Sequence, residues 1–312
     1  MLDFFYINLI GESEMSTLEK SVSKDYEGRK IREYLKEEMG LSTRFINRAS
    51  IDKRIIVNGT AVRMNYVLKD NDQIVINLAR KESQNVTPEK IELDIVYEDN
   101  DIIVINKGPN MVVHPTKRYQ SGTLANGLLY YFKETNQDCI VRLVSRLDMD
   151  TSGLIIVAKS QYAHMRLSNE MQQNNIKKRY LAVVHGNFEE KEGTIDLPIY
   201  RPEIPGALAR VVDERGQRSI THYKVIESFE GADLVECLLE TGRTHQIRVH
   251  MKAMGHPIYG DTLYGETDDS DLISRQALHA YGLNFKSPRT EEELVLRAEL
   301  PKDIKELIKI LK

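Results

Sequence analysis

Apolar residues recur three and four apart through residues 27–40, EGRKIREYLKEEMG. Ile31, Leu35 and Met39 form one stripe and Gly40 is a natural stop, so the pattern predicts an amphipathic helix. A second helix is expected over 41–54, LSTRFINRASIDKR, capped by Ser42 or Thr43, with Phe45 and Ile46 facing inward. The segment IIVNGTAV, 55–62, sets Asn-Gly between two β-branched runs, a strong short-range hairpin signal. A further turn and strand, VLKDNDQIVINL, complete an ααβ unit of residues 20–82 behind an extension of residues 1–19, read as a leading strand or a loosely held tail. Residues 83–92 are polar, contain one Pro and read as a linker.

From residue 93 onward the period shortens. LDIVYEDNDIIVINK reads as two strands joined by EDND, GTLANGLLYYFKE as a helix, and SQYAHMRLSNEMQQNN as a helix capped by Ser160. Strands are expected at Ile140–Val144, Leu154–Ala158, KKRYLAVVHGNF, THYKVIESF, DLVECLLE and QALHAYGLNF. A short helix, HQIRVHMKAM, begins near His245 with Thr244 as its cap. Hairpins outnumber helices, which predicts an α+β body, residues 93–312, on a mixed and mainly antiparallel sheet.

At 312 residues, 41% hydrophobic and 29% charged, the composition is that of a globular chain with room for two domains. No apolar run reaches the roughly 18–20 residues needed to span a bilayer, and the N-terminal stretch lacks the basic region of a signal peptide. Cys139 and Cys237 sit among apolar residues without metal-ligand spacing, as expected of buried reduced thiols in a cytoplasmic protein. The net charge of −4 is unevenly spread. Residues 28–63 hold nine basic residues (Arg29, Lys30, Arg32, Lys36, Arg44, Arg48, Lys53, Arg54 and Arg63) against four acids, a basic module on an acidic body.

Several chemistries find no support. GxGxxG, GxxxxGK[ST], GxSxG and HExxH are all absent, so no cofactor and no metal is expected. What stands out is VSRLDMDTSGLIIVAKS, residues 144–160, where Arg146, Asp148 and Asp150 interrupt two apolar runs. Gly153 admits a turn, and a carboxylate at a strand end can point into a cleft; Asp150, Thr151 and Ser152 can equally bond the turn's own backbone. In LLETGRTHQIRVHMKAMGHPIYGD, residues 238–261, His245, Arg248 and Lys252 share one helix face. That face is either a solvated basic stripe or a cation directed at a carboxylate to keep it ionised. In KKRYLAVVHG, residues 177–186, Tyr180 follows three basic residues and can stack a base or pack in a core.

These three segments, in this order and spacing, resemble the motifs of the RluA-type pseudouridine synthases. MVVHPTKRYQSGTLANGLLYY resembles the stretch ahead of the first motif, and the basic module resembles the S-four-type RNA-binding domain often fused in front of such enzymes. The likeness spans roughly residues 20–300. It departs at Gly108, where the family usually has Pro after the Lys, and at Ser145, where His or Asn is common. The resemblance implies cofactor-free isomerisation of uridine to pseudouridine in RNA: the N-glycosidic bond breaks, the uracil turns and is rejoined through carbon 5. It implies that Asp148 is the essential carboxylate, as nucleophile or as base, with Arg248 as its cation and Arg243 as runner-up. It implies that Tyr180 stacks on the target uracil and that Arg146 fills the space left by the flipped nucleotide. RNA contacts are expected from Arg146, Arg243 and His245, and from Arg29, Lys30, Arg44, Arg48, Lys53 and Arg54 of the module. The favoured RNA is 23S ribosomal RNA, with transfer RNA the second choice, and the chain is expected to act as a monomer. Two other readings stay open: a non-catalytic RNA-binding or ribosome-assembly factor, and a glycoside hydrolase using Asp148 and Asp150 as its carboxyl pair.

Overall fold

The computed structural model describes residues 17–78, 84–204 and 206–312. The expected strand or tail in residues 1–16 lies outside them. The module begins earlier than expected, because β1 (Thr17–Ser21) pairs antiparallel with β4 (Gln73–Asn77). Between them lie α1 (Ile31–Glu37), α2 (Thr43–Ile51) and the hairpin of β2 (Ile55–Val57) and β3 (Thr60–Ala61). Asn58 and Gly59 turn that hairpin with φ of 48° and 79°, the left-handed pair the Asn-Gly signal requires. Ser42 caps α2 by accepting a hydrogen bond from Phe45 N, and Phe45 and Ile46 are buried as expected.

The body is built on a ten-stranded sheet. In chain order its elements are β5 (Ile95–Glu98), β6 (Ile102–Lys107), α3 (Leu124–Glu134), β7 (Arg142–Leu143), β8 (Ser152–Ala158) and α4 (Gln161–Gln172). They continue with β9 (Lys177–His185), β10 (Glu192–Asp196), β11 (Ile199–Tyr200), β12 (Val211–Val212), β13 (Ile220–Phe229) and β14 (Ala232–Leu239). The chain closes with α5 (Gln246–Ala253), β15 (Leu278–Lys286), β16 (Glu293–Arg297) and α6 (Lys302–Leu311). The strand order is β10-β13-β14-β9-β15-β8-β6-β5, with β7 on β8, β16 on β15, and β11–β12 a separate ribbon. Among the described residues all strand pairings are antiparallel except β8 with β15. The fold is α+β, as the hairpin-rich pattern indicated. The α6 helix, which sequence periodicity had not singled out, packs Ile304, Leu307 and Ile308 into the core around β9 and β14. The strand expected at Ile140–Val144 shrinks to two residues.

Polar residues 84–92 do not form a free linker. Gln84 bonds both backbone groups of Val141, Glu89 N donates to Asn126 O, and Ile91 and Leu93 press against Gly127 of α3. The module is also fixed to the body. Tyr162 of α4 completes the module's apolar core and donates to Pro288 O at 3.0 Å. Arg289 bonds Asp101 at 2.6 and 3.1 Å and also donates to Thr17 O.

The central crossing that aims the site is β8 against β15. Gly153 has φ of +112°, and a Cβ there would lie 2.3 Å from Ala280 O. Only glycine meets both demands. We expect Gly153→Ala to destabilise the protein by about 3 kcal/mol or more in urea unfolding. A loss below about 1 kcal/mol would show that the two strands can part without penalty.

Candidate active site

Asp148 opens a tight turn between β7 and β8, closed by Thr151 N donating to Asp148 O at 3.2 Å. Its remaining backbone groups are tied down from outside. Lys107, at the end of β6 and 1% exposed, donates from Nζ to Met149 O at 2.9 Å and Gly108 O at 2.7 Å. Met111 N donates to the same Met149 carbonyl at 3.2 Å. Arg275 donates to Asp150 O at 2.9 Å and is held by Asp303 of α6 at 2.6 and 2.9 Å. Gln276 donates to Thr151 Oγ1 at 3.2 Å. Four partners thus fix a four-residue turn whose carboxylate points out into a pocket.

Facing that carboxylate is α5. Its entry is set by Gln246, not by the expected Thr244 cap. The Gln246 amide accepts from Thr241 Oγ1 and Arg243 N, both at 2.9 Å, and donates to Ile220 O and Thr221 Oγ1. His245, at φ 59°, occupies the cap position without a side-chain cap bond. This start rotates Arg248 inward. One guanidinium then serves two acids: Nε and one terminal nitrogen donate to Asp261 at 2.7 Å each, and the other donates to Asp148 Oδ2 at 3.0 Å. The Asp261 carboxylate is fully buried and further accepts from Leu263 N and Tyr264 N. The Arg248 charge is desolvated, yet the two acids raise its pKa above the ordinary arginine value. The solvated-stripe reading of this face therefore fails for Arg248.

The other expected site residues divide. Tyr180, buried at 8%, lines the same pocket. Burial foremost, then the charge of Asp148, pushes its hydroxyl pKa upward, so it is a phenol at neutral pH. His245 is turned inward, with Nδ1 2.8 Å from Tyr264 Oη and Nε2 3.9 Å from Asp148. Burial lowers its pKa. Arg146 and Arg243 stand exposed where the pocket opens into a wider groove running past His114 and Lys178. Arg243 bonds Arg218 O at 3.3 Å and no described contact joins it to Asp148, so the cation beside Asp148 is Arg248, the first choice, and not the runner-up Arg243.

On the module, Lys30, Arg44 and Lys53 are exposed, while Arg29 and Arg48 are exposed and paired with Glu37 and Asp52. Such surface pairs contribute little and yield readily to a phosphate. Arg54 corrects the sequence reading. It is 8% exposed, donates to Asn77 O at 3.0 Å and lies over the Phe45 ring. It is a core residue of the module and is not placed to touch RNA. Among the described residues no cluster could hold a metal ion, and no helix is long and apolar enough to cross a membrane. Burial pushes the Cys139 and Cys237 thiols up to about 12, consistent with inert reduced cysteines.

Comparison with known proteins gives this geometry its context. Residues 101–253 match the RNA pseudouridylate synthase family. YjbO of Bacillus subtilis, described as an uncharacterized RNA pseudouridine synthase, is 41% identical over 282 residues, 89% of this chain and 98% of that relative. The chain belongs to the RluA-type RNA pseudouridine synthases. The ribosomal large subunit pseudouridine synthase D of Zymomonas mobilis is 38% identical to this synthase over 258 residues, 79% of this chain and 81% of that one. The structure of human RNA pseudouridylate synthase domain containing 1 shares the fold, with a TM-score of 0.55 and 28% identity over 70% of this chain and 94% of that one. The synthase is therefore an isomerase acting on RNA, and the glycoside hydrolase and non-catalytic readings fall away.

Three supporting residues were not picked out from the sequence: Lys107, Asp261 and Arg275. Asp261 closes the third motif and was legible as an acid in the wrong place. Arg275 carried no local signal. Lys107 was noticed only for the glycine after it. Burial lowers the Lys107 pKa to about 7, partly offset by Asp150. In the unfolded chain the same amine holds its proton to about pH 10.4. Between those values the unfolded state binds more protons, so the burden of burying Lys107 is complete below pH 7 and eases as pH rises. We expect the native synthase to gain stability relative to Lys107→Met between pH 7 and 10, read by urea unfolding at several pH values. A stability difference independent of pH would show that the buried amine does not titrate in this range.

Proposed function

We propose that this synthase converts uridine to pseudouridine in 23S ribosomal RNA with Asp148 as its essential carboxylate and without a cofactor. The observation that carries the reading is the Asp148–Arg248–Asp261 array, in which a carboxylate on a rigid turn meets a buried guanidinium at the bottom of an open pocket. Asp148 acts on the target nucleotide as nucleophile or as base. Arg248 bonds and aims it, and is itself aimed by Asp261. Tyr180, on the same pocket wall, stacks on the flipped uracil, and its hydroxyl helps relay the proton that carbon 5 must lose once the new bond has formed. Arg146, exposed beside the turn, fills the vacated stack or holds a flanking phosphate. The exposed cations of the module, and Arg243 on the groove, supply further phosphate contacts, which lets a chain of net charge −4 bind a polyanion. The choice of large-subunit RNA rests on the relatives that bear that name; transfer RNA is the second choice. A monomer in the cytoplasm suits this work.

Tritium release from position 5 of labelled uridine, on unmodified 23S ribosomal RNA and on bulk transfer RNA separately, tests both chemistry and substrate. Release from the ribosomal RNA alone, lost by at least about a thousandfold in Asp148→Asn while filter binding stays near native, is the expected result. Turnover by Asp148→Asn would end the assignment, and release from transfer RNA alone would redirect the substrate.

Asp261→Asn keeps the shape but weakens the grip on Arg248. Its expected effect is a fall in kcat of about 100-fold with RNA affinity unchanged. Equal losses in kcat and affinity would instead mean that Asp261 only maintains the fold.

A further inference from the structure

The groove beside the catalytic pocket contains a cation that the mechanism above does not use. Strand β9 sends Lys178, Tyr180 and Ala182 to its buried face, at 9%, 8% and 0% exposure. Residues two apart on a strand share a side, so Lys178 emerges beside the tyrosine of the pocket. Its neighbours in sequence behave as ordinary surface cations: Lys177 is exposed, and Arg179 pairs with Glu236 at 3.1 Å. Lys178 does neither. Among the described residues its ammonium makes no hydrogen bond and no ion pair, and it lines the groove with His114, Arg146, Asp148 and Arg243. Asp148 is the one acidic residue on that lining, and it is already matched by Arg248.

The chain also leaves room above this ammonium. The turn after β14 passes over it with a glycine, and a Cβ on Gly242 would come within 3.2 Å of Lys178 Nζ. Burial alone lowers the Lys178 pKa, with no carboxylate to offset it. A nine-tenths buried cation without an anion is a cost to the fold, and a position flanked by apolar neighbours would be better filled by Met or Leu. Such a group persists where an anion arrives from outside.

We propose that Lys178 is the anchor for a backbone phosphate of the RNA strand that lies in this groove, placing the target nucleotide over Tyr180 and Asp148. The ligand class is a phosphodiester, held by one desolvated ammonium beside the exposed guanidinium groups of Arg146 and Arg243. This deepens the proposed function and rests on it. Lys178 touches substrate through the backbone and takes no part in bond making.

The test uses the full-length synthase, its Lys178→Gln and Lys178→Met variants, and Asp148→Asn as control. Filter binding to unmodified 23S ribosomal RNA transcripts is measured over a range of salt concentrations, alongside thermal unfolding. Loss of one phosphate contact should weaken binding roughly tenfold. It should also reduce the slope of log affinity against log salt by about 0.7–1, with the slope of Asp148→Asn left at the native value. Removing an unpaired buried charge should meanwhile leave the melting temperature equal or higher, which a structural lysine would not do. Native affinity and slope in both variants would overturn the proposal. Weaker binding at an unchanged slope would also overturn it, because the contact would then be to an uncharged group. A lowered melting temperature with an unchanged slope would make Lys178 a prop of the sheet. If native enzyme releases no tritium from the same transcripts, it is the substrate reading that fails; the salt slopes still decide the phosphate contact.

Discussion

The guanidinium of Arg248 is shared between two carboxylates in different circumstances. Asp261 is sealed from water and takes two of its nitrogens; Asp148 is partly open to the pocket and takes the third. A buried ion pair is seldom a gain in stability over apolar packing, since desolvation consumes most of the attraction. Here the arrangement fixes direction. With Asp261 occupying one edge of the planar fork, the remaining nitrogen can only point along one line, and Asp148 lies on it. The α5 start at His245, the Gln246 bonds to Thr221 and Ile220, and the clamps on the 148–151 turn all bring these two ends together.

Much of this was readable from residue order because its determinants are local. Asn58-Gly59 demands positive φ at two successive positions and so announces its hairpin. Ser42 and Ser160 cap the helices they precede. The acids and bases of the 144–160 and 238–261 segments interrupt apolar runs, and the structure brings Asp148 and Arg248 together across 100 residues of chain. The resemblance to a known family supplied the pairing that spacing alone left open between a solvated stripe and a directed cation.

What escaped the sequence was long-range or inverted in sense. Arg275 holds a carbonyl 125 residues away, and nothing around it in the chain distinguishes it from a surface arginine. Arg54 sits in the most basic segment, yet it is buried on Asn77 and Phe45, because a guanidinium can stack and bond inside a small module. Residues 84–92 have the composition of a linker but are tied to the body, with Glu89 bonded to Gly122 and Asn126 at the start of α3 and Gln84 to Val141 beside β7. Polar composition records solubility; it does not record which surface the segment follows.

The tie from Asp303 through Arg275 to the carbonyl of Asp150 has a consequence for how the enzyme comes into being. A ribosome delivers the chain in order, and Asp148 leaves the exit tunnel long before α6 is made. Until Arg275 and Asp303 emerge, the turn lacks one of its clamps and α6 has not closed over β9 and β14. The nascent chain therefore carries Asp148 well before the contact 125 residues further on that fixes its turn can form.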